Sequence, residues 1–532
     1  MKAFKAPVDD IFFCLNHVAG VQQLSDWDDE LAAQVVEVYA KVAEQELAPL
    51  NPVGDEQGCR IVDGRVVMPE GFKEVYQRYA ADGWQGVCLP EEYGGQGMSS
   101  TLNSVLSEIF SGANHSLQMV LGLVPGASTV LEHFGTEEQR TKYIPLLASG
   151  EWVATMCLTE PGAGSDLGAI RTKATENGDG WSIVGEKIFI SGGDQDLSEG
   201  IFHLVLARTS DGGTRGLSLF ACPSHLEDGS RNAVSVERIE EKMGLHASPT
   251  CQMRFNGAKA EIIGNPGDGL KGMFAMMNHA RLDVSLQGVA HAARAYDIAA
   301  SYAAERVQGR DANGQPITID QLPIVRQMLD DIAMLSLGGR AMAFKIMVLH
   351  ESGEHEALVS FLTSVAKVFC SEAGMQAASL AQDVLGGYGY LTEYYADQTY
   401  RDARITGIYE GANSVHAMTL LTRQLGRGEG ALAFGELLEQ MSADTGNDAV
   451  AKAAATWRDM ADKLVAQQLP AACAKDFMDL TGNVMLLAVW AVMLLRAQHA
   501  PDTALYERVG QRVMQRLPVK IKYLASLIEA AL

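Results

Sequence analysis

The chain has 532 residues, enough for about three or four domains of ordinary size and a large buried core. Its 66 acidic residues outnumber its 42 basic ones and give a net charge of -24, which would repel a nucleic-acid backbone over most of the surface. The eight cysteines are scattered without a Cys-x-x-Cys pair, so the sequence predicts neither a disulfide framework nor a thiolate zinc site.

The sequence carries no evident signal for export or membrane insertion. In residues 1–20, Asp9 and Asp10 precede the apolar stretch, which is untypical of a secretory signal. The longest apolar run, at 484–495, is too short to cross a bilayer and indicates a buried helix. We therefore expect a soluble, cytoplasmic protein in a reducing compartment, with no metal site.

The spacing of apolar residues predicts helices, then strands, then helices. From about 29 to 150 apolar residues recur at three and four positions, whereas between 152 and 264 short runs such as KIFIS alternate with Gly and Asp turns. Long helices are predicted at about 271–308, 322–350 and 357–382. The fold class is α+β multidomain: a helical N-terminal domain at 1–151, a middle antiparallel β-barrel or sandwich at 152–268, a helix bundle at 269–427 and a further helical domain at 428–532.

Two short motifs match known sites but lack the required context. Gly267, Gly269 and Gly272 spell G-x-G-x-x-G, yet one long helical pattern follows, without the second strand and acidic residue of a dinucleotide-binding unit. HESGEH at 350–355 places its histidines five positions apart, whereas the H-E-x-x-H zinc site needs four so that both imidazoles share one helix face. We interpret the first as a turn into a helix and the second as surface histidines near a turn.

Two longer segments, unlike the short motifs, indicate a functional site. The first is CLTEPGAGSDLGAIRTKA at 157–174, a Gly-rich turn whose N–H groups accompany the hydroxyls of Thr159 and Ser165. These donors suit a phosphate-bearing or heteroaromatic ligand, but the segment is equally consistent with an ordinary turn. The second, at 383–418, contains a glycine cluster and places Glu410 among Ile408, Tyr409 and Gly411. An isolated glutamate is usually a surface charge, but a carboxylate in apolar company is a candidate base because burial raises its pKa.

These segments, in this order, resemble the acyl-CoA dehydrogenase family, and the likeness runs from about residue 30 to 425. KIFISGG at 187–193 is similar to the family's second flavin-contacting segment, and ARLDVSLQGVA at 280–290 is similar to the helix that carries its substrate-facing arginine. The N-terminal KAPVDDIFFCLNHV and the helical residues beyond the usual end resemble the long branch that includes methylmercaptopropionyl-CoA dehydrogenases.

The resemblance implies roles for individual residues. Glu410 occupies the place of the family's catalytic base, and Ala280 stands where other branches carry theirs. The implied FAD contacts are Met156, Leu158, Thr159, Ser165, Phe189, Ile190, Ser191, Asp383, Gly386, Gly387, Ala412 and Asn413, with Arg306 reaching the diphosphate of a neighbouring subunit. The implied contacts with the CoA ester are Ser165, Asn278, Arg281 and Gly411.

Three positions depart from the family pattern. Asp383 and His416 stand where glutamines are usual, and Ala412 stands where a threonine is usual. The loss of one neutral hydrogen bond costs about 0.5–1.5 kcal/mol, so Ala412 is expected to loosen FAD without excluding it. Gln382, next to Asp383, is a candidate to replace the missing glutamine.

By resemblance, the protein is expected to dehydrogenate an acyl-CoA to a trans-2-enoyl-CoA in fatty acid metabolism. Partners implied in the same way are an electron-transferring flavoprotein and further copies of the chain, in a homodimer or homotetramer. The alternative is a catalytically weak flavoprotein of the same fold with a DNA-protective or DNA-binding role. For that role a basic helix face is available at Arg508, Arg512, Arg516, Lys520 and Lys522, which is otherwise a solvated face or a subunit contact. A flavin monooxygenase on the same scaffold is disfavoured by Glu410.

Overall fold

The computed structural model describes residues 3–178 and 180–532. The chain separates into two compact units, each assembled from separate stretches. The first contains Ser100–Gly112, Arg281–Leu532 and the described residues up to Glu44, and the second contains Gln45–Ser99 and Ala113–Ala280. The four consecutive domains expected from the sequence divide the chain differently, and their boundaries stay a prediction.

Local sequence signals account for many helix ends. α2 begins after Asp28, whose carboxylate accepts hydrogen bonds from the N–H groups of Glu30 and Leu31, and α7 begins with a capping box between Thr136 and Gln139. The α-helices are α1 (Val8–Cys14), α2 (Asp29–Val42), α3 (Leu50–Gln57), α4 (Phe72–Ala81), α5 (Ser100–Leu121), α6 (Val124–Phe134), α7 (Glu137–Ala148), α8 (Gly269–Glu305), α9 (Pro323–Ser352), α10 (Glu356–Leu385), α11 (Ala396–Ala403), α12 (Asn413–Thr419), α13 (Glu429–Thr445), α14 (Asp448–Ala466), α15 (Ala474–Leu495) and α16 (Thr503–Ala531).

The three long helices predicted at 271–308, 322–350 and 357–382 are confirmed as α8, α9 and α10. Gly267 and Gly269 lie at the turn into α8, and α9 ends at Gly353, whose φ of 70° suits a helix C-terminus. His350 and His355 are exposed on either side of that glycine. Both interpretations of the two short motifs, as a turn into a helix and as surface histidines near a turn, are therefore confirmed.

The first unit is a helical assembly with a deeply buried centre. By length and hydropathy alone, Pro323–Ser352, Glu356–Tyr390 and Ala471–Leu495 are able to cross a membrane, yet 89%, 78% and 78% of their apolar windows are buried inside the protein. The run at 484–495 lies within α15 and is mostly buried, as predicted, with Leu495 exposed at its end. α15 packs against α9, where the indole N–H of Trp490 donates to the carbonyl of Met334 at 3.1 Å.

The second unit contains a closed β-barrel. The strands of this sheet are β3 (Trp152–Cys157), β4 (Lys173–Glu176), β5 (Trp181–Ser191), β6 (Gly200–Arg208), β7 (Leu217–Pro223), β8 (Val234–Ile239) and β9 (Thr250–Ile263). Two separate hairpins are β1 (Arg60–Val62) with β2 (Arg65–Val67) in the second unit and β10 (Val307–Arg310) with β11 (Pro316–Thr318) in the first unit. The order β6-β4-β5-β9-β7 closes because β7 also pairs with β6, and β3 and β8 flank this ring.

The barrel expected from the sequence is confirmed, with one difference in strand direction. β3 and β4 each pair with β6 in parallel, and the remaining pairs are antiparallel. The parallel pairs arise because the connection from β3 to β6 runs through β4 and β5 instead of a hairpin. The interior is apolar and includes Phe220, Phe255 and Ile190.

Candidate active site

Glu410 lies on a strained turn in the first unit, between a short 3₁₀ segment at Arg404–Gly407 and α12. Its φ is 53° and that of Gly411 is 92°, so two consecutive residues adopt left-handed backbone conformations. For a non-glycine residue this costs on the order of 1–3 kcal/mol and persists only where the surroundings hold it. Such strain is typical of functional sites.

The side chain of Glu410 is half-buried beside charged side chains from α8 and α10. Its Oε2 atom is inaccessible and has no hydrogen-bond partner in the part of the chain that the structure describes. Burial raises the pKa of Glu410 to about 7, against the opposing effects of Arg281 and Lys367 and with a further contribution from Asp283. A carboxyl group with a pKa near neutral pH is able to act as a base there.

Side chains from α8 and the neighbouring α5 hold Asp283 in a hydrogen-bond network. The amide of Gln287 donates to Asp283 at 2.9 Å, and the hydroxyl of Ser107 donates to the other carboxylate oxygen. The hydroxyl of Tyr409, the residue before Glu410, donates in turn to Gln287. This network ties the turn to the helix that carries Arg281.

Lys367 is a buried lysine of α10 that the sequence reasoning missed. Its Nζ donates to the carbonyl of Gly411 at 2.8 Å and to Oδ1 of Asn413 at 2.9 Å, and burial lowers its pKa to about 8. The available signal was a lone lysine within the apolar run of α10, since a charged residue in such a run needs a buried partner. Asn413, expected to contact FAD, thus also supports the turn.

His416 also contacts this turn. It is buried on α12, with Nε2 at 3.0 Å from the carbonyl oxygen of Glu410 and Nδ1 at 3.2 Å from the hydroxyl of Ser364. The departure from the family pattern at His416 therefore lies against the base.

The two barrel segments expected to face a flavin ring are bonded to each other in the second unit. The N–H of Ile188 donates to the carbonyl of Thr159 at 2.8 Å, and the buried Lys187 donates to the carbonyl of Leu158 and to Glu160, both at 2.9 Å. Glu160 also accepts from the N–H groups at 171 and 172. Lys187 and Glu160 thus hold the segments together.

The expected flavin-facing residues differ in exposure. Met156, Thr159 and Ser191 are half-buried, Leu158 is buried, and Ser165 and Phe189 are exposed. Phe189 has a φ of 59° and is 60% exposed, which marks a strained aromatic residue at the surface of this unit. The side chain of Ile190 packs in the barrel core, so this residue is able to contact a ligand only through its backbone.

A second group of predicted residues lines one cavity of about 550 Å³ in the first unit. Arg306, Asp383, Gly386 and Gly387 lie together there, and the guanidinium of Arg306 lies 5.4 Å from the centre of the Tyr388 ring. The positions that a Cβ atom would take at both glycines have no atom within 4 Å, and Gly386 has a φ of 61°. Open backbone beside an arginine suits a diphosphate.

The remaining predicted residues divide between the units. Arg281 and Gly411 lie beside Glu410 in the first unit, and Ala412 precedes α12 there. Ser165 and Asn278 are exposed residues of the second unit.

Comparison with known proteins identifies the family. Its models match in chain order: the acyl-CoA dehydrogenase N-terminal domain at 29–151, the middle domain at 155–258 and the C-terminal domain at 267–425. The 3-methylmercaptopropionyl-CoA dehydrogenase of Ruegeria pomeroyi is 40% identical over 463 residues, which cover 82% of this chain and 79% of that protein. The chain belongs to the acyl-CoA dehydrogenase family. It is accordingly an oxidoreductase that acts on acyl-CoA, with FAD as its cofactor.

Other acyl-CoA dehydrogenases match over most of the chain. The broad-specificity linear acyl-CoA dehydrogenase FadE5 of Mycobacterium tuberculosis is 34% identical over 490 residues, 84% of this chain and 80% of that protein. An acyl-CoA dehydrogenase of Bacillus anthracis, solved in complex with FAD, is similar over 99% of this chain and 92% of its own, with a TM-score of 0.80 and 23% identity. That likeness shows the fold, including the helices after 427.

The five basic residues near the C-terminus of the chain are not all free to bind a partner. Arg508 pairs with Asp330 at 3.0 Å and Arg512 pairs with Asp331 at 2.9 Å, so two of the five cations are neutralised by acids of α9. These contacts favour the structural interpretation of that face over nucleic-acid binding.

Proposed function

We propose that the protein dehydrogenates an acyl-CoA thioester between its α and β carbons, forming a trans-2-enoyl-CoA, with Glu410 as the base. The observation that carries this proposal is the buried, partnerless Oε2 of Glu410 on a strained turn, with a pKa near 7. A surface glutamate has none of these properties.

The α C–H group of a thioester is a very weak acid, so its proton has to be removed by a positioned base. In the proposed step the Glu410 carboxylate takes this proton and becomes a neutral carboxylic acid, which its burial favours. The backbone N–H of Glu410 polarises the thioester carbonyl. FAD, when bound, supplies the acceptor for the β hydrogen, which leaves as hydride while the double bond forms.

The chain's residues fit FAD. The open glycine backbone at Gly386 and Gly387 and the guanidinium of Arg306 suit its diphosphate, as part of a neighbouring subunit's site. The segments at 156–159 and 189–191 would contact the ring, and Ala412 and Asn413 would complete the site. Ser165, Asn278, Arg281 and Gly411 would face the CoA ester.

We further propose that the enzyme is a cytoplasmic homodimer or homotetramer and passes its electrons to an electron-transferring flavoprotein.

A titration experiment identifies the acyl group of the substrate. The purified protein should be yellow and should bleach anaerobically on titration with its acyl-CoA, and a panel of straight-chain, branched and methylmercapto acyl-CoAs would identify the best substrate. A colourless protein, or one that no thioester reduces, would contradict the proposal.

Glu410→Gln tests the base. The substitution keeps the shape of the side chain but removes its ability to take a proton, so we expect retained colour and a loss of reduction by at least about 100-fold. Glu436→Gln makes the same change at an exposed position of α13 and should bleach like the wild type. If Glu410→Gln bleaches as the wild type does, Glu410 is not the base.

A further inference from the structure

His416 makes two hydrogen bonds that connect α12, α10 and the turn of the base. It is 3% exposed, and its Nε2 lies 3.0 Å from the carbonyl oxygen of Glu410. Its Nδ1 lies 3.2 Å from the hydroxyl oxygen of Ser364 on α10. The ring also fills the space beside Gly411, where a Cβ would lie 2.8 Å from Nε2.

The partners determine which nitrogen of His416 carries the proton. A carbonyl oxygen only accepts, so Nε2 has to donate to Glu410, and a neutral ring then accepts the hydroxyl proton of Ser364 at Nδ1. Burial lowers the pKa of His416 to about 4; the bond to Glu410 opposes this shift, whereas Arg281 and Lys367 add to it. The ring is therefore neutral at physiological pH, in the tautomer that donates from Nε2.

Two consecutive carbonyl groups of the turn are held in this way. His416 holds that of Glu410 and Lys367 holds that of Gly411, at 3.0 and 2.8 Å. Both residues on the turn have positive φ angles, so the backbone would relax to a different conformation without these bonds. A change in backbone at Glu410 moves its carboxylate.

We propose that His416 is a positioning residue for the base: its Nε2–H, oriented by Ser364, holds the Glu410 carbonyl so that the carboxylate faces the α carbon of the thioester. This inference rests on the proposed role of Glu410. It concerns a position at which this chain differs from the family pattern, and it gives that difference a function.

The test compares two side chains of similar length at this position. Glutamine has an amide N–H that is able to replace the donor, whereas methionine fills the space without one. We expect His416→Met to bind FAD and to keep its KM for acyl-CoA within about twofold, while kcat falls at least about tenfold, towards the 100-fold cost of misplacing a reacting group by about 1 Å. His416→Gln should restore kcat to within about threefold of the wild type.

A second measurement isolates proton removal. Exchange of the α protons of an acyl-CoA with D2O needs proton removal but no hydride transfer, so it should slow in His416→Met by about the same factor as kcat. His291→Met provides the matched control, because it replaces another buried histidine with a pKa lowered to about 4, ten positions beyond Arg281 on α8. This control should leave both rates unchanged.

The outcomes separate this inference from the proposed function. If Glu410→Gln is inactive but His416→Met exchanges and reduces like the wild type, His416 does not position the base. The same conclusion follows if the methionine and glutamine variants lose activity equally, or if the loss lies in FAD content alone. If His416→Met does not fold, Ser364→Ala leaves the ring in place and should still lower kcat; a wild-type kcat there would overturn the inference. Reduction by Glu410→Gln would instead contradict the proposed function.

Discussion

Glu410 is surrounded by charges of both signs, and their balance sets the pH at which it accepts a proton. Burial and Asp283 raise its pKa to about 7, while Arg281 and Lys367 oppose that shift. Because only the carboxylate form takes a proton, flavin reduction should slow by about tenfold for each pH unit below 7 and level off above it.

The Asp283→Asn variant gives a second test of the pH dependence of flavin reduction. Removing a negative charge favours ionisation of Glu410, so the midpoint of the pH profile should move to lower pH in this variant. Stopped-flow reduction across pH 5 to 9, at saturating acyl-CoA, measures both profiles. A rate that does not change with pH, or a midpoint that moves upward, would be inconsistent with the charge balance around Glu410.

The candidate base was accessible from the sequence, but its supports were not. Glu410 is surrounded in the sequence by Ile408, Tyr409 and Gly411, which suggested burial. Lys367 and Ser364 lie more than forty positions away, and only the packing of α10 beside the turn brings them to it. His416 was noticed only as a departure from the family pattern and was given no contact, since no sequence pattern reveals which carbonyl a histidine contacts.

The helices α8 and α10, which supply residues around Glu410, approach each other closely. A Cβ at Gly288 of α8 would lie 2.2 Å from the carbonyl oxygen of Cys370 on α10, and one at Gly374 of α10 would lie 2.7 Å from the carbonyl oxygen of Gly288. The two backbones are thus in contact within a few residues of Arg281 on α8 and Lys367 on α10. Glycine is required here by the packing of the helices.

Gly288→Ala should therefore destabilise the protein even though alanine favours a helix over glycine by about 1 kcal/mol. Overpacking costs about 1–3 kcal/mol, and here the clash is with backbone, so we expect a net loss and a lower midpoint of thermal unfolding. Gly339→Ala is the control, since its Cβ would meet Val289 at 3.4 Å and Cys370 at 3.7 Å, which are ordinary contacts. An unchanged midpoint in Gly288→Ala would show that α8 and α10 are able to move apart.

The elements themselves were largely predictable, because long apolar periodicity and the glycine at 353 mark α9 and α10. The pairing of the strands was less predictable from the sequence. The parallel pairing of β3 with β6 depends on the path of the intervening strands, which alternation of apolar residues does not encode. The same holds for the two units, whose stretches from distant parts of the chain come together only in the fold.

At the scale of the whole molecule, the cavity at Arg306 and the base at Glu410 belong to the same chain, but the proposal assigns them to different active sites. If Arg306 binds the diphosphate of a neighbouring subunit's FAD, each site combines the Glu410 of one subunit with the Arg306 of another. Arg306→Ala should weaken FAD binding by about 1.5–3 kcal/mol, the usual contribution of a hydrogen bond to a charged group.

Mixed oligomers distinguish the two arrangements. Co-expression of Arg306→Ala and Glu410→Gln chains with different tags allows the mixed species to be isolated. If the arginine acts on its neighbour, one site in each pair combines an intact Glu410 with an intact Arg306, so about half of the sites should hold FAD tightly and bleach with acyl-CoA. If the arginine acts within its own subunit, every site lacks one of the two residues. Oligomers of each variant alone provide the baseline, and bleaching of the mixed species no greater than that baseline would place Arg306 in its own subunit's site.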